Sequence, residues 1–264
     1  MMQKNNLRLQ FLILALAYLS LSCGITVTGN PKQPDESKPK FIELPPSDSL
    51  DMELESWMLT EEQEGDDNRA ANLVKQVLAE LLKRPLIRQL RLNSQILVDL
   101  QTIYPKENAD QSWSWWTTTS FENSSYEVDL KGRKTQGKAI DWQLDLTSSG
   151  EKNTSWATGL SQSDQGQWIF NQVKGDVKWS YKDKNSRQFS LTWGQDGERG
   201  WKSGGSISFH KDQAKRLLTI KKDPNQDRPL EIEWDNQTQS GKYAGSRGIE
   251  VCWGPEFKTQ PCDK

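Results

Sequence analysis

The chain has 264 residues, with 34 Lys and Arg against 36 Asp and Glu and a formal net charge of −2. Its basic residues are scattered instead of gathered into a patch that could neutralise a phosphate backbone, which argues against nucleic acid as the main partner. With one histidine, His210, and three cysteines, a Cys/His metal site cannot be assembled, and no phosphate-loop or dinucleotide fingerprint points to a cofactor.

Residues 1–8 are short and positive through Lys4 and Arg8, Leu9 to Leu19 is a compact apolar run, and Ser20, Leu21 and Ser22 lead to Cys23 and Gly24. Residues 1–22 thus have the three-part layout of an export signal, and the apolar run is too short to span a bilayer as a stable helix. The stretch Leu19-Ser20-Leu21-Ser22-Cys23-Gly24 resembles the lipobox of bacterial lipoproteins, in which a small residue precedes a cysteine that receives diacylglycerol and becomes the new N-terminus. The family usually has leucine three places before that cysteine; here the place holds Ser20, with leucines on either side. The resemblance implies acylation at Cys23, palmitate included. Because Gly24 and not aspartate follows, it also implies anchoring to the bacterial outer membrane, on its periplasmic or surface side. The alternative is an ordinary cleaved signal with an incidental cysteine and free secretion.

An acylated Cys23 leaves Cys252 and Cys262, which in an oxidising envelope most simply pair. Closing that short loop would stabilise by about 3 kcal/mol in the chain-entropy model and pin the tail between Pro255 and Pro261. Two free thiols in a frayed tail are the alternative.

From Ile25 to about Asp67 the composition shifts to Pro, Lys, Asp, Glu and Ser, with Pro31, Pro34, Pro39, Pro45 and Pro46 and no sustained period. Residues 23–67 are expected to form the lipidated N-terminus and a disordered tether. Trp57, Met58 and Leu59 form an apolar island within it, expected to dock on the domain, with a partner-binding segment as the alternative. The acidic run Glu61, Glu62, Glu64, Asp66 and Asp67 suits the positive start of a helix.

Residues 68–105 follow helical spacing. Leu73, Val74, Val77, Leu78, Leu81 and Leu82 make one apolar face, and Leu86, Ile87, Leu90, Ile96, Leu97, Leu100 and Ile103 a second beyond Pro85. The missing amide and ring clash at Pro85 predict two amphipathic helices, or one helix kinked there.

Residues 106–264 read as a tryptophan-rich antiparallel β domain with a C-terminal tail. Tyr126, Val128 and Leu130 alternate with Glu127 and Asp129; Ile140, Trp142, Leu144 and Leu146 with Asp141, Gln143 and Asp145; Val177, Trp179 and Tyr181 with Lys178 and Ser180. Phe189, Leu191 and Trp193 continue the alternation, as do Ile232 with Trp234 and Val251 with Trp253. Period two buries one face and wets the other, which is the pattern of antiparallel strands. Turn residues punctuate the segments: Lys131-Gly132-Arg133, Ser148 to Glu151, Ser163 to Gly166, Lys182 to Asn185, Asp196-Gly197, Asp223 to Asp227 and Gly245 to Gly248. The fold class is therefore mainly β with α, a meander of roughly eleven strands preceded by two helices. A sheet of that width is expected to curl into a half-barrel or barrel, or else to split into a sandwich, with the helices over its apolar side; a coiled-coil dimer is the rival arrangement for the helices, and their short length counts against it.

Chemistry has few footholds. His210 has no nucleophile elbow to serve, and Glu127, Asp129, Asp141, Asp145, Glu231 and Glu233 share the polar parity with Lys178 and Lys182, as a solvated face does. A carboxylate-dependent hydrolase is the distant alternative, and no catalytic residue is assigned. The aromatic residues are the binding candidates: Trp113 and Trp115 share a parity while Trp116 faces the other way, and Trp142, Trp179 and Trp193 arrive about one per strand. Each is either a core ring or a surface for an apolar ligand or a sugar.

In outline, two helices over a wide antiparallel sheet resemble the outer-membrane lipoprotein localisation factors, which have an incomplete barrel with a helical lid. That family also inserts helices among its strands, unlike this chain, so none of its functional residues is carried over. The resemblance implies a non-enzymatic envelope lipoprotein that accommodates an apolar ligand or an acylated partner. The alternative is a surface-exposed lipoprotein with a filled core whose polar face meets glycan or protein. The two part on volume, since a filled sheet leaves no room for cargo.

Overall fold

The computed structural model describes residues 41–59, 66–148, 151–196 and 200–262. The export signal, Cys23, the acidic residues Glu61, Glu62 and Glu64, and Gly197 lie outside them.

Among the described residues two α-helices form, α1 (Arg69–Leu82) and α2 (Pro85–Leu100). Pro85 takes the first position of α2, where its missing N–H leaves no intrahelical bond unmade, and Arg84 before it is extended at φ −75° and ψ 134°. The proline thus starts a second helix and does not kink one. The apolar stripes read from the sequence are buried, Val74, Leu78 and Leu81 on α1 and Leu86, Ile87, Leu90, Ile96, Leu97 and Leu100 on α2.

The strands are β1 (Lys106–Glu107), β2 (Ser112–Phe121), β3 (Ser124–Lys134), β4 (Ile140–Ser148), β5 (Glu151–Gln162), β6 (Gln165–Phe170) and β7 (Gly175–Asp183). They continue with β8 (Ser186–Trp193), β9 (Ser206–Asp212), β10 (Lys215–Lys221), β11 (Leu230–Asp235), β12 (Ser240–Ala244), β13 (Glu250–Trp253) and β14 (Thr259–Gln260). Each pairs with its neighbours in sequence, so the order from β1 to β14 is an uninterrupted antiparallel meander of 14 strands. Among the described residues its two edges do not pair with each other, and the sheet is open. Both edge strands are two residues long, which blunts the rows of unpaired backbone groups that invite aggregation.

The count exceeds the roughly eleven expected for identifiable reasons. The two-residue edges carry no period to read, and β12 has only Tyr243 as a large apolar residue. Lys131-Gly132-Arg133, expected as a turn, lies inside β3, where Gly132 stands opposite both Trp113 and Trp142. The glycine is there for space: a Cβ would sit 2.3 Å from Ile42 Cδ1 and 2.6 Å from Trp142 Cζ3. The arrangement recurs across the sheet. Gly159 faces Trp168, Gly166 faces Trp179 and Gly241 faces Trp253, with Cβ approaches of 2.7, 2.6 and 2.2 Å to the rings. A ring lying over a cross-strand glycine covers the backbone that the glycine leaves bare, so the tryptophan spacing is matched by a glycine spacing one strand away.

Residues 41–59 form an ordered strap, which shortens the tether expected over residues 23–67. Ile42, Leu50, Met52 and Met58 of the strap are buried in the same core as the helices and the sheet. Two 3-10 turns shape it, Ser47–Leu50 and Ser56–Leu59. The first turn lies against α2, β7 and β8; the second lies against α1. In turn α1 packs on β12, β13 and β14, and α2 on β2. One face of the sheet is therefore covered by the helices and the strap together.

Candidate functional site

The strap ends on the covered face at two adjoining polar features. Arg187 on β8, Lys211 on β9 and Arg216 on β10 stand directly opposite one another in register, a row of three cations. Like charges in that position repel, and their side chains are only 1%, 9% and 5% exposed. The strap supplies the counter-charge. Glu53 Oε1 accepts from Arg187 Nη2 at 2.5 Å and from Lys211 Nζ at 2.7 Å, while Oε2 accepts from Arg216 Nε at 2.9 Å. Asp48 Oδ2 accepts from Arg187 Nη1 at 3.0 Å and from the Tyr181 hydroxyl at 3.2 Å. Tyr181 continues the row, since it pairs with Arg187 across β7 and β8.

Electrostatics agree with the geometry. Burial works to raise the Glu53 carboxyl, yet the Lys211 hydrogen bond, the charge of Arg187 and the contacts of Arg216 together hold it below the ordinary carboxylate value. Burial, and then the neighbouring Asp48 carboxylate, push the Tyr181 hydroxyl up. Glu53 sits at φ +45°, and its N–H donates to Asp51 Oδ1 at 2.9 Å, so a local turn aims its carboxylate at the cations.

Beyond Glu53 the strap forms one wall of a pocket of about 170 Å³ with Glu55, Ser56 and Trp57. Trp234 and Asp235 at the end of β11, Asn236 and Gln239 in the following turn, Ser240, Trp253 and Phe257 complete it. Trp57 stacks on Phe257 with ring centroids 4.3 Å apart and meets Trp253 edge-on at 5.7 Å. Phe257 belongs to the tail that the Cys252–Cys262 disulfide closes, so the pairing expected from the sequence is present and holds this wall. Asp235 Oδ1 accepts the N–H groups of Thr238 and Gln237 at 2.9 and 2.8 Å; the Thr238 bond does most to depress its pKa and keep it ionised. Three residues of the lining carry a buried polar atom without a partner: Trp234 Nε1, Trp253 Nε1 and Asn236 Oδ1.

A larger open groove, about 460 Å³, runs between the α1–α2 junction and the loop after β8. In it Trp193 and Trp201 stack at 4.2 Å and the Arg84 guanidinium lies 5.9 Å from the Trp201 ring.

The tryptophans singled out in the sequence do not form one site. Trp113, Trp115, Trp142, Trp179 and Trp193 are buried in the core, on β2, β4, β7 and β8. Trp142 Nε1 donates to Ser161 Oγ at 2.7 Å, a fully internal bond. Trp116 alone of the six is exposed, at 63%, opposite Asp129. Asp129 in turn stands opposite Asp145, while Glu127, Asp141, Glu233 and His210 are exposed. The sequence reading missed Glu53, Arg187, Lys211 and Arg216, and it placed Trp57 without its aromatic partners. A signal existed for part of this: Arg187, Lys211 and Arg216 occupy positions whose strand parity is otherwise apolar, alongside Phe189, Phe209 and Leu218.

No protein-family model, no curated protein and no solved structure matches the chain.

Proposed function

We propose that this chain is a non-enzymatic, lipid-anchored protein of the bacterial cell envelope that binds its partner at its surface and carries no cargo inside. The supporting observation is the occupation of the sheet's apolar face by the chain itself. Trp168, Phe170, Val177, Leu191, Ile207 and Phe209 are all buried in one core with residues of α1, α2 and the strap. In this reading the open sheet curls around the helices as a half-barrel whose lumen is already full. Binding then falls to surface features, of which the aromatic pocket at the strap end is the most built. The lipobox-like stretch supports the anchor, with Cys23 acylated and the outer membrane as the destination.

The test is native mass spectrometry with lipid extraction on the full chain purified from its own envelope. A mass free of cargo, unchanged after lipids are offered, is the expected result. Co-purifying acyl chains would favour the carrier reading and overturn this one. Metabolic labelling with palmitate checks the anchor separately: Cys23→Ser is expected to abolish incorporation, and persistent labelling would contradict it.

A further inference from the structure

We infer that the Cys252–Cys262 disulfide is a redox latch, whose reduction by a dithiol frees the end of the strap and the first turn of α1 together. This goes beyond the surface-binding reading and does not depend on it.

The disulfide closes a tail that grips two other parts of the chain. On one side Phe257 stacks on Trp57 of the strap, with ring centroids 4.3 Å apart. On the other, Thr259 Oγ1 accepts the N–H of Ala70 at 3.0 Å. Ala70 is the second residue of α1, and Asn68 before the helix makes no side-chain capping bond. A helix start leaves its first N–H groups without intrahelical partners, so Thr259 does from the far end of the chain what an N-cap side chain does locally. Both Phe257 and Thr259 lie between the two joined cysteines.

The tail is otherwise lightly held. β14 is two residues long at the sheet's edge, and among the described residues it pairs with β13 alone, Gln260 opposite Cys252 and Thr259 opposite Trp253. The turn between these strands keeps Glu256 and Phe257 left-handed, at φ +66° and +60°. That conformation crowds Cβ against a backbone carbonyl oxygen and persists only where the surroundings impose it. Opening the ring removes that constraint, and relaxation of the turn draws Phe257 from Trp57 and Thr259 from Ala70.

The strap is held differently along its length. Asp48 and Glu53 are fixed by Arg187, Lys211 and Arg216, and Ser47 accepts from Ser94 and Gln101, none of them in the tail. The turn Ser56–Leu59 lies instead against α1 and, through Trp57, against Phe257. Reduction therefore divides the strap beyond Glu53. The surface it bares is apolar, since Trp234 and Trp253 are buried and line the same pocket as Trp57 and Phe257.

The step is thiol–disulfide exchange. Cys262 is half-buried and Cys252 is buried on β13, so a thiolate of the dithiol attacks Cys262 Sγ and Cys252 leaves as a thiolate. The second thiol of the reductant then displaces Cys262. Two electrons and two protons pass to the protein, which ends with two thiols, and the reductant ends as its own disulfide.

The experiment is hydrogen–deuterium exchange on the full chain, before and after dithiothreitol without denaturant, with two additional alkylated thiols counted by mass to confirm reduction. The Met58 amide, bonded to Glu55 O, and the Ala70 amide should both exchange about tenfold faster in the reduced protein. The Ser49 and Asp51 amides and strands β6 to β8 should stay protected over the same labelling time, and reoxidation should restore the slow rates. Joint replacement Cys252→Ser and Cys262→Ser should exchange as the reduced protein does, with or without dithiothreitol. The inference is overturned by a disulfide that dithiothreitol does not open, by rates at Met58 or Ala70 that reduction leaves unchanged, or by loss of protection throughout the chain.

Discussion

Removing the Glu53 carboxylate should cost the fold more than its place in a proline-rich segment would suggest. In Glu53→Ala, three cations whose side chains are 1%, 9% and 5% exposed lose their shared partner, and among the described residues Asp48 is the carboxylate left beside Arg187. Breaking a buried ion pair by deleting one member costs about 3–5 kcal/mol, because the remaining charge stays desolvated. Glu53 is itself 25% exposed, so water screens part of the loss and the low end applies, about 3 kcal/mol. For a folded unit of this size each kcal/mol moves the midpoint by about 2–4 °C, which gives a fall of about 6–12 °C in thermal unfolding followed by circular dichroism.

Acid supplies an independent arm of the same test. The folded pKa of Glu53 is depressed relative to the unfolded chain, so its stabilisation is fully present above the unfolded value, about 4.3, and is lost as pH falls through the lower folded value. The native protein should therefore lose stability more steeply than Glu53→Gln in that window, and the two should converge below it. A midpoint within 2 °C of native for Glu53→Ala, with parallel acid profiles for Glu53→Gln, would refute the assignment of the strap to the cation row.

Other consequences can be checked by the same unfolding assay. Gly159→Ala places a methyl group 2.7 Å from Trp168 Cε3 and should destabilise by about 1–3 kcal/mol, the usual cost of overpacking; a neutral result would mean that the ring is free to move. Paired replacement of Cys252 and Cys262 by serine opens a loop with a sequence separation of 10 and should cost about 3 kcal/mol in the chain-entropy model. Asn93 on α2 is buried with both polar side-chain atoms unpartnered, so Asn93→Leu should stabilise by about 1–3 kcal/mol; a loss of stability would reveal a partner at that amide.

Much of this fold was legible because period two and period 3.6 are strong signals. The apolar face of α2 and the buried parities of β4, β7 and β8 follow directly from residues such as Leu90, Trp142, Trp179 and Leu191. The strap was not legible for a physical reason. Leu50, Met52 and Leu54 alternate with Asp51 and Glu53 for three places only, Ile42 and Met58 stand apart from them, and the surrounding prolines and acids have the composition of a tether. Gly132 misled in the opposite direction: between Lys131 and Arg133 it has turn chemistry, yet its role is set by Trp142 on the next strand, a neighbour that local sequence does not show. The same limit hid the pocket. Trp57 and Phe257 are 200 positions apart in the chain, and their stacking depends on a seat built by Glu53 and a tail held by a disulfide.

The strap is part of the fold and helps to fill the sheet's apolar face. Hydrogen–deuterium exchange on the full chain tests it most directly, at the strap amides that bond within its turns: Ser49 to Pro46 at 3.0 Å, Asp51 to Asp48 at 3.2 Å and Met58 to Glu55 at 3.0 Å. Protection of residues 42–59 together with α1 and α2, as one cooperative unit, is expected. Exchange at the rate of a free chain would contradict it and reopen the covered face to an apolar ligand.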